Sequence, residues 1–257
     1  MSNERRERAQ RAEQMRKERE RADRRQRNVL TVAIVAIVVV LIGVGGYGVS
    51  KASNDNADSS ALIFPASTDK RTFGFDYTAS DAGGAGKTTE TDPVEVVITE
   101  DFQCPVCRDF EAQSGAFLDD LVKKGEIIIN YRPISFLDRA SSNEFSSRAA
   151  NAAMCVLNDG GVSAYKKFHD LIYANQPEEN TVGPDDDALI EYAEQAGVTG
   201  IDSCVSKKAY GPWLSKAYDS AVDDGFSGTP WVRIDGKDVE APTPATMRAA
   251  IDAAKAA

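Results

Sequence analysis

A chain of 257 residues has room for one domain with a sizeable core, or two small ones, together with extensions. Its 30 basic and 40 acidic residues are unevenly divided: residues 1–27 hold 11 Lys or Arg against 6 Asp or Glu, leaving 19 against 34 for the remainder. So acidic a remainder lacks the basic footprint of a nucleic-acid binder, and the basic tail reads as a topology signal with some attraction to anionic lipid.

The first predicted element is the uncharged run from Val29 to Val49, 21 residues long. As a helix it would extend about 31 Å, against a hydrocarbon core of about 30 Å. A single transmembrane helix is therefore expected at 29–49. Basic flanks stay inside, which makes residues 1–28 a cytoplasmic tail and puts the C-terminal part outside. A cleaved signal peptide is the rival reading, but its apolar part would be only about 7 to 15 residues long and would end at a small-residue cleavage site. An uncleaved signal anchor in the cell membrane is expected. Gly43 to Gly48 spells GxGxxG, yet it lies inside the apolar run with no strand before it and no acidic ribose ligand after it. It is set aside. Residues 50–70 are small and polar and read as an extracytoplasmic linker, with the folded domain expected at 71–257.

Phe73 to Tyr77 suggests a first strand, followed by a Gly-rich turn from Asp81 to Asp92. Gly86-Lys87-Thr88 looks like the end of a phosphate-binding loop, but Asp81 stands where the first glycine is required, so a flexible turn explains it better. Val94 to Glu100 has strand character, and Cys104-Pro105-Val106-Cys107 follows. A helix is predicted over 105–123 with Phe110, Ala116, Phe117 and Leu121 as its apolar positions, then a strong strand at Ile127 to Tyr131. From about 141 to 224 the pattern is helical, with helices near 143–158, 162–175, 185–196 and 203–223. Breaks fall at Asp159-Gly160-Gly161, Pro177, Gly183-Pro184 and Gly197 to Gly200. Gly228-Thr229-Pro230 leads into the strand Trp231 to Ile234, the turn Asp235-Gly236, Lys237 to Val239, and an Ala-rich helix from about Pro244. The organisation is α/β, a helical block inserted between two halves of a sheet.

Two thiols separated by two residues can close a small ring and reopen it. A strand that delivers them onto the first turn of a helix places Cys104 where unpaired N–H groups and the helix dipole favour negative charge. Such placement lowers a thiol pKa from about 8.5 into the range of roughly 3.5 to 7.5, so Cys104 is the expected reactive thiolate and Cys107 its resolving partner. Zinc would need two more ligands, usually a second close pair, whereas Cys155 and Cys204 are single and far apart and His169 is the sole histidine. No metal is assigned. His169 has no evident partner and reads as a packing or surface residue. Outside the cytoplasm Cys155 and Cys204, on different helices, are expected to form a structural disulfide, two buried reduced cysteines being the alternative. Closing a loop of about 50 residues would stabilise by roughly 4 kcal/mol at most.

The order strand, CxxC helix, strand, helical insert, Thr-Pro, strand, turn, strand, helix resembles the thioredoxin superfamily, specifically its DsbA-like branch. The likeness covers about residues 93–257 and is carried by the stretch Asp101 to Glu111, by Phe168-His169-Asp170-Leu171 and by Gly228-Thr229-Pro230. It implies a thioredoxin-like fold with an inserted helical domain, a cis proline at Pro230 beside the CxxC, and pairing of substrate with the backbone of Thr229. Val106 stands where the best-known oxidases of the branch carry histidine, and Ile98 where they carry a buried glutamate. Pro105, Val106 and, on the next turn, Glu111 are the residues that would tune the site.

With the anchor and the second cysteine pair, the chain looks most like extracytoplasmic disulfide-forming proteins of actinobacteria. That likeness implies exported proteins with free thiols as substrates, a quinone-linked membrane reoxidase of the VKOR or DsbB type as partner, and no bound cofactor. A thiol reductase or disulfide isomerase on the same scaffold, and a non-catalytic binding module of the cell envelope, are the other readings.

Overall fold

The computed structural model describes residues 62–84 and 92–256. The basic tail, the apolar run 29–49, most of the linker and the Gly86-Lys87-Thr88 turn lie outside the described residues. Among those described, no helix is long and apolar enough to cross a membrane.

A five-stranded sheet organises the domain. Strand β2 (Val94–Glu100) lies at its centre, parallel to β3 (Ile127–Pro133) and antiparallel to β4 (Trp231–Ile234). Short edge strands β1 (Phe75–Tyr77) and β5 (Lys237–Asp238) pair antiparallel with β3 and β4. Every β2 residue except Glu95 is buried, because layers cover both faces of a central strand, and this is why β2 reads as an apolar run rather than an alternation. Helix α1 (Pro105–Lys123) connects β2 to β3. It presents Phe110, Leu118, Leu121 and Val122 to the core; Ala116, expected among its apolar positions, is exposed, and Phe117 is only partly buried.

Between β3 and β4 the chain builds the helical insertion. It contains α2 (Phe145–Ala174), α3 (Asp186–Gln195), α4 (Asp202–Ser206) and α5 (Gly211–Asp223), and α6 (Pro244–Lys255) closes the domain after β5. The two helices expected at 143–158 and 162–175 are both present, running end to end within α2 on either side of Gly161, whose non-helical φ of 73° suits glycine. The helix expected at 203–223 is instead two. Pro212 cannot donate a helical hydrogen bond and takes the first turn of α5, while Lys208 sits at a φ of 47° in the joint. Buried Asn151 from α2 holds that joint, donating to the Cys204 carbonyl at 3.3 Å and accepting from the Tyr210 N–H at 2.9 Å. Cys155 of α2 and Cys204 of α4 are joined by a disulfide, with their Cα atoms 6.0 Å apart.

The C-terminal end of the expected linker is not a free tether. Phe64 stacks on Phe73 at 5.6 Å, Phe73 meets the buried Trp213, and the Ala66 N–H donates to Asn158 at 3.2 Å. The folded unit therefore begins before residue 71. Phe64 has a partner because an aromatic ring in a polar stretch removes more apolar area from water by docking than by staying solvated.

Candidate active site

The redox loop leaves β2 at Asp101, whose buried side chain organises everything after it. One carboxylate oxygen accepts from the Gln103 N–H at 2.8 Å. The other accepts from the N–H groups of Phe136 and Leu137 and from the Ser146 hydroxyl, at 2.8, 3.1 and 2.7 Å. Burial pushes the Asp101 carboxyl up, and these four donors work against that. Gln176, just past the end of α2, donates to the carbonyls of Phe102 and Cys104, both at 2.9 Å, and the Tyr173 hydroxyl donates to the Asp101 carbonyl at 3.3 Å. The insertion thus clamps the loop from outside the sheet. These clamping roles depend on tertiary contacts and were not visible in the sequence.

Cys104 is the extended N-cap residue of α1, with Pro105 in the first turn, where a missing N–H costs nothing. Both thiols are reduced and buried, Cys104 at 5 % exposure and Cys107 fully. The Thr229–Pro230 peptide is cis, and the Cys104 thiol donates to the Thr229 carbonyl at 3.5 Å. The Cys104 pKa is lowered to about 6, chiefly by a hydrogen bond from the Cys107 thiol; burial opposes this, and Thr229 and the N–H groups of Cys107 and Val106 reinforce it. Cys107 moves the other way, raised well above the ordinary thiol range by burial, by its bond to Cys104 and by the charge of Glu100. At pH 7 a thiol titrating near 6 is ionised about ten to one. Val106 points into solvent at 58 % exposure.

Beneath the thiols lies a group of ionisable side chains that gives His169 polar partners its sequence did not show. Its ring is fully buried, Nε2 lies 3.2 Å from Glu100 Oε2, and Nδ1 lies 3.1 Å from Asp170 Oδ1. Burial works against a charge on the ring, but Glu111, Asp170 and Glu100 outweigh it and raise the His169 pKa to about 10. Glu111 is raised to about 8 by burial and by the charge of Glu100, with His169 pulling the other way. Glu100 also bears on the departure at Ile98. Residues two apart in a strand share a face, so Glu100 supplies a buried carboxylate one pleat further along from the buried Ile98. Glu100, Glu111 and His169 offer ligand atoms within 4.8 Å of one another, the donor set among the described residues that could hold a divalent cation.

The structure therefore gathers Cys104, Cys107, Thr229, Pro230, Glu111 and His169, and keeps Cys155 and Cys204 in the insertion. Residues 89–253, well over half of the chain, match the thioredoxin family. The reduced DsbA of Mycobacterium tuberculosis superposes with a TM-score of 0.57 at 33 % identity, over 71 % of this chain and 98 % of that one. The chain belongs to the thioredoxin superfamily, on its DsbA-like branch. A reduced disulfide bond oxidoreductase, DsbG, from the same organism matches this DsbA-like chain at 34 % identity and a TM-score of 0.59, over 70 % of this chain and 86 % of the other. MdbA of Actinomyces oris, a thiol-disulfide oxidoreductase, shares the fold at 19 % identity and a TM-score of 0.59, over 78 % and 98 % of the two chains. Among curated proteins, the serine/threonine-protein kinase PknE of Mycobacterium tuberculosis is 29 % identical over 149 residues, 54 % of this chain and 26 % of the kinase. The DsbA-like chain spans about a quarter of the length of that relative.

Proposed function

We propose that this DsbA-like oxidoreductase is anchored in the cell membrane by residues 29–49 and introduces disulfide bonds into exported proteins through Cys104 and Cys107. The observation that carries the reading is the opposite displacement of two adjacent thiols, one favouring the thiolate at neutral pH and the other the thiol. In the oxidised protein a substrate thiolate attacks Cys104 Sγ. The Cys104–Cys107 bond breaks, its electron pair leaves on Cys107, and a mixed disulfide forms. A second substrate thiolate then attacks the substrate sulfur of that bond and Cys104 leaves as the stabilised thiolate, the substrate having lost two electrons to the protein. A carbonyl cannot donate to a thiolate. The Thr229 hydroxyl, buried and on the side chain that helps to lower the Cys104 pKa, is the group of that loop able to donate in its place.

Thr229 and Pro230 would present backbone to the substrate, and a quinone-linked reoxidase of the VKOR or DsbB type would restore the disulfide. The resemblance to M. tuberculosis DsbA, the acidic C-terminal part and the uncharged run at 29–49 support this reading. Equilibration of the full chain with glutathione tests it. A potential near about −120 mV is expected of an oxidase, and one near about −270 mV, the thioredoxin value, would overturn the oxidising direction in favour of reduction. Fractionation that leaves the chain in the soluble pool would overturn the anchor.

A further inference from the structure

Three elements each bring one ligating side chain to a single point beneath the redox loop. Strand β2 supplies Glu100, helix α1 supplies Glu111 and helix α2 supplies His169, and one ligand atom of each lies within 4.8 Å of the other two. Glu100 is 5 % exposed and His169 1 %. Oε1 of Glu100 and Oε1 of Glu111 are both buried with no hydrogen-bond partner among the described residues. Buried oxygens are normally paired, so two unpaired ones on neighbouring carboxyls point to a group that belongs between them.

The bonds around the imidazole decide which group that is. His169 Nδ1 meets Asp170 Oδ1 at 3.1 Å, and Asp170 is itself held by Lys166 Nζ at 2.7 and 2.8 Å. An imidazole that gives its Nδ1–H to a carboxylate turns the lone pair of Nε2 the other way, as metal-ligating histidines do. Here that nitrogen faces Glu100 Oε2 at 3.2 Å. Two lone pairs at that distance need positive charge between them. A proton would serve this one pair and leave both Oε1 atoms as they are, whereas an ion with several coordination places serves all three side chains. The spacing agrees. Ligand atoms held at about 2.0 to 2.2 Å on a tetrahedral ion stand about 3.3 to 3.6 Å apart, so Glu100 and His169 are already close to that separation and a side-chain shift of about 1 Å closes the set. Gly115 leaves room for it on α1, where a Cβ would come within 3.0 Å of Glu111 Oε2. The imidazole plane is fixed by Tyr131 and Tyr173, whose ring centroids lie 5.1 and 4.8 Å from its own.

We propose that Glu100, Glu111 and His169 form a binding site for one divalent zinc-class ion, with Asp170 orienting the imidazole from behind. Zinc suits the donors because it takes carboxylate oxygen and imidazole nitrogen together and prefers four places, of which the protein fills three and water the fourth. Calcium and magnesium favour oxygen alone and do not match the histidine. Charge fits as well: the two positive charges of the ion meet the two carboxylates, while Lys166 is already matched by Asp119 and Asp170. The ion is structural. It ties β2, α1 and α2 together under the loop that carries Cys104 and Cys107, and it takes no part in breaking or making a sulfur bond.

The test titrates untagged full-length protein with zinc chloride in a calorimeter, its Cys104–Cys107 bond closed so that neither thiol can take the metal, and records the visible spectrum of the cobalt-loaded form. About one zinc per chain is expected, with a cobalt spectrum of nitrogen and oxygen ligands free of sulfur bands, and a melting temperature that rises with added zinc. Asp170→Asn keeps all three ligands and should weaken zinc about 10- to 100-fold, the scale of a lost orienting partner. Glu111→Gln and His169→Gln should each cost more than that. Asp187→Asn combined with Glu191→Gln, in the exposed acidic depression beside α3, should leave the affinity unchanged. A wild type that takes no zinc overturns the site. Binding that survives both Glu111→Gln and His169→Gln, or that vanishes with the α3 pair, overturns it equally and marks an adventitious ion only. Should His169→Gln fail to close the Cys155–Cys204 bond, Glu111→Gln and Asp170→Asn decide between them. No thiol exchange enters the measurement, so loss of the metal site would leave the oxidoreductase reading standing, and failure of the wild type to exchange with glutathione would leave the metal site standing.

Discussion

Cys104 and Cys107 are separated by two residues at the start of a helix, whereas Cys155 and Cys204 are joined across two helices at a sequence separation of 49. All four sulfurs are in or against the core, so burial alone does not separate reactive from inert. What differs is what each sulfur meets. Cys104 faces backbone N–H groups, the Cys107 thiol and the Thr229–Pro230 loop, all of which accommodate charge. Cys155 packs inside α2 with Asn151 Nδ2 at 3.9 Å, and its partner joins a helix of five residues to the longest helix of the insertion. The first pair is set up to change state and the second to hold a joint closed.

Substitutions can break that division. The largest effect is expected from Cys104→Ala, which should abolish disulfide transfer in an insulin-reduction or peptide-oxidation assay while leaving the melting temperature of the reduced protein nearly unchanged. Replacing Cys155 and Cys204 together by Ala should do the reverse. Denaturant unfolding should show a loss of up to about 4 kcal/mol, while Cys104 alkylates with its wild-type pH profile. A redox defect in that variant at temperatures where it stays folded would mean the two pairs are coupled. Gln176→Ala removes two hydrogen bonds that cross from the insertion to the redox loop and should cost about 1 to 3 kcal/mol, with faster amide exchange confined to residues around Phe102 to Cys104.

A smaller effect follows from pH. The folded Cys104 pKa lies near 6 against an ordinary value of 9.0, so the thiolate contributes stability to the reduced form that is complete above about 9 and lost as pH falls through about 6. Glu111 and His169 titrate with the opposite sign, because both bind a proton more tightly when folded. The Cys104 thiol, unlike them, titrates in the reduced form alone. The difference in unfolding free energy between reduced and oxidised forms should therefore rise from pH 6 to 9, and alkylation of Cys104 should inflect near 6. Smallest of all, Val106→His would place an imidazole at an exposed position beside Cys104 and lower its pKa by about one unit, moving the inflection down.

The redox pair was legible from sequence because its chemistry is local: a strand, four residues and a helix start are contiguous. Most of the strands were legible for the same reason, as short apolar runs bounded by turn residues, whereas their order in the sheet comes from the fold. His169 is the packing residue that one of its two expected readings made it, but its polar partners were missed because Glu100 is 69 residues away and no local pattern announces such a pair. A signal was present all the same. Tyr165, His169 and Tyr173 recur every four residues along one face of α2 and are all buried, so a histidine in that stripe must find polar partners inside. The break at Lys208 was hidden by helical composition on both sides. Only Pro212 marked it, and the requirement that Asn151 satisfy both the Cys204 carbonyl and the Tyr210 N–H comes from the fold.

The Cys155–Cys204 link has a consequence for how a fresh molecule matures. A newly made chain carries four thiols, and four electrons must be removed before both pairs are closed. Under the proposed function one of those two bonds is the very product this protein makes for others. Each nascent copy is then a customer of its finished siblings, and the population supplies its own first substrate.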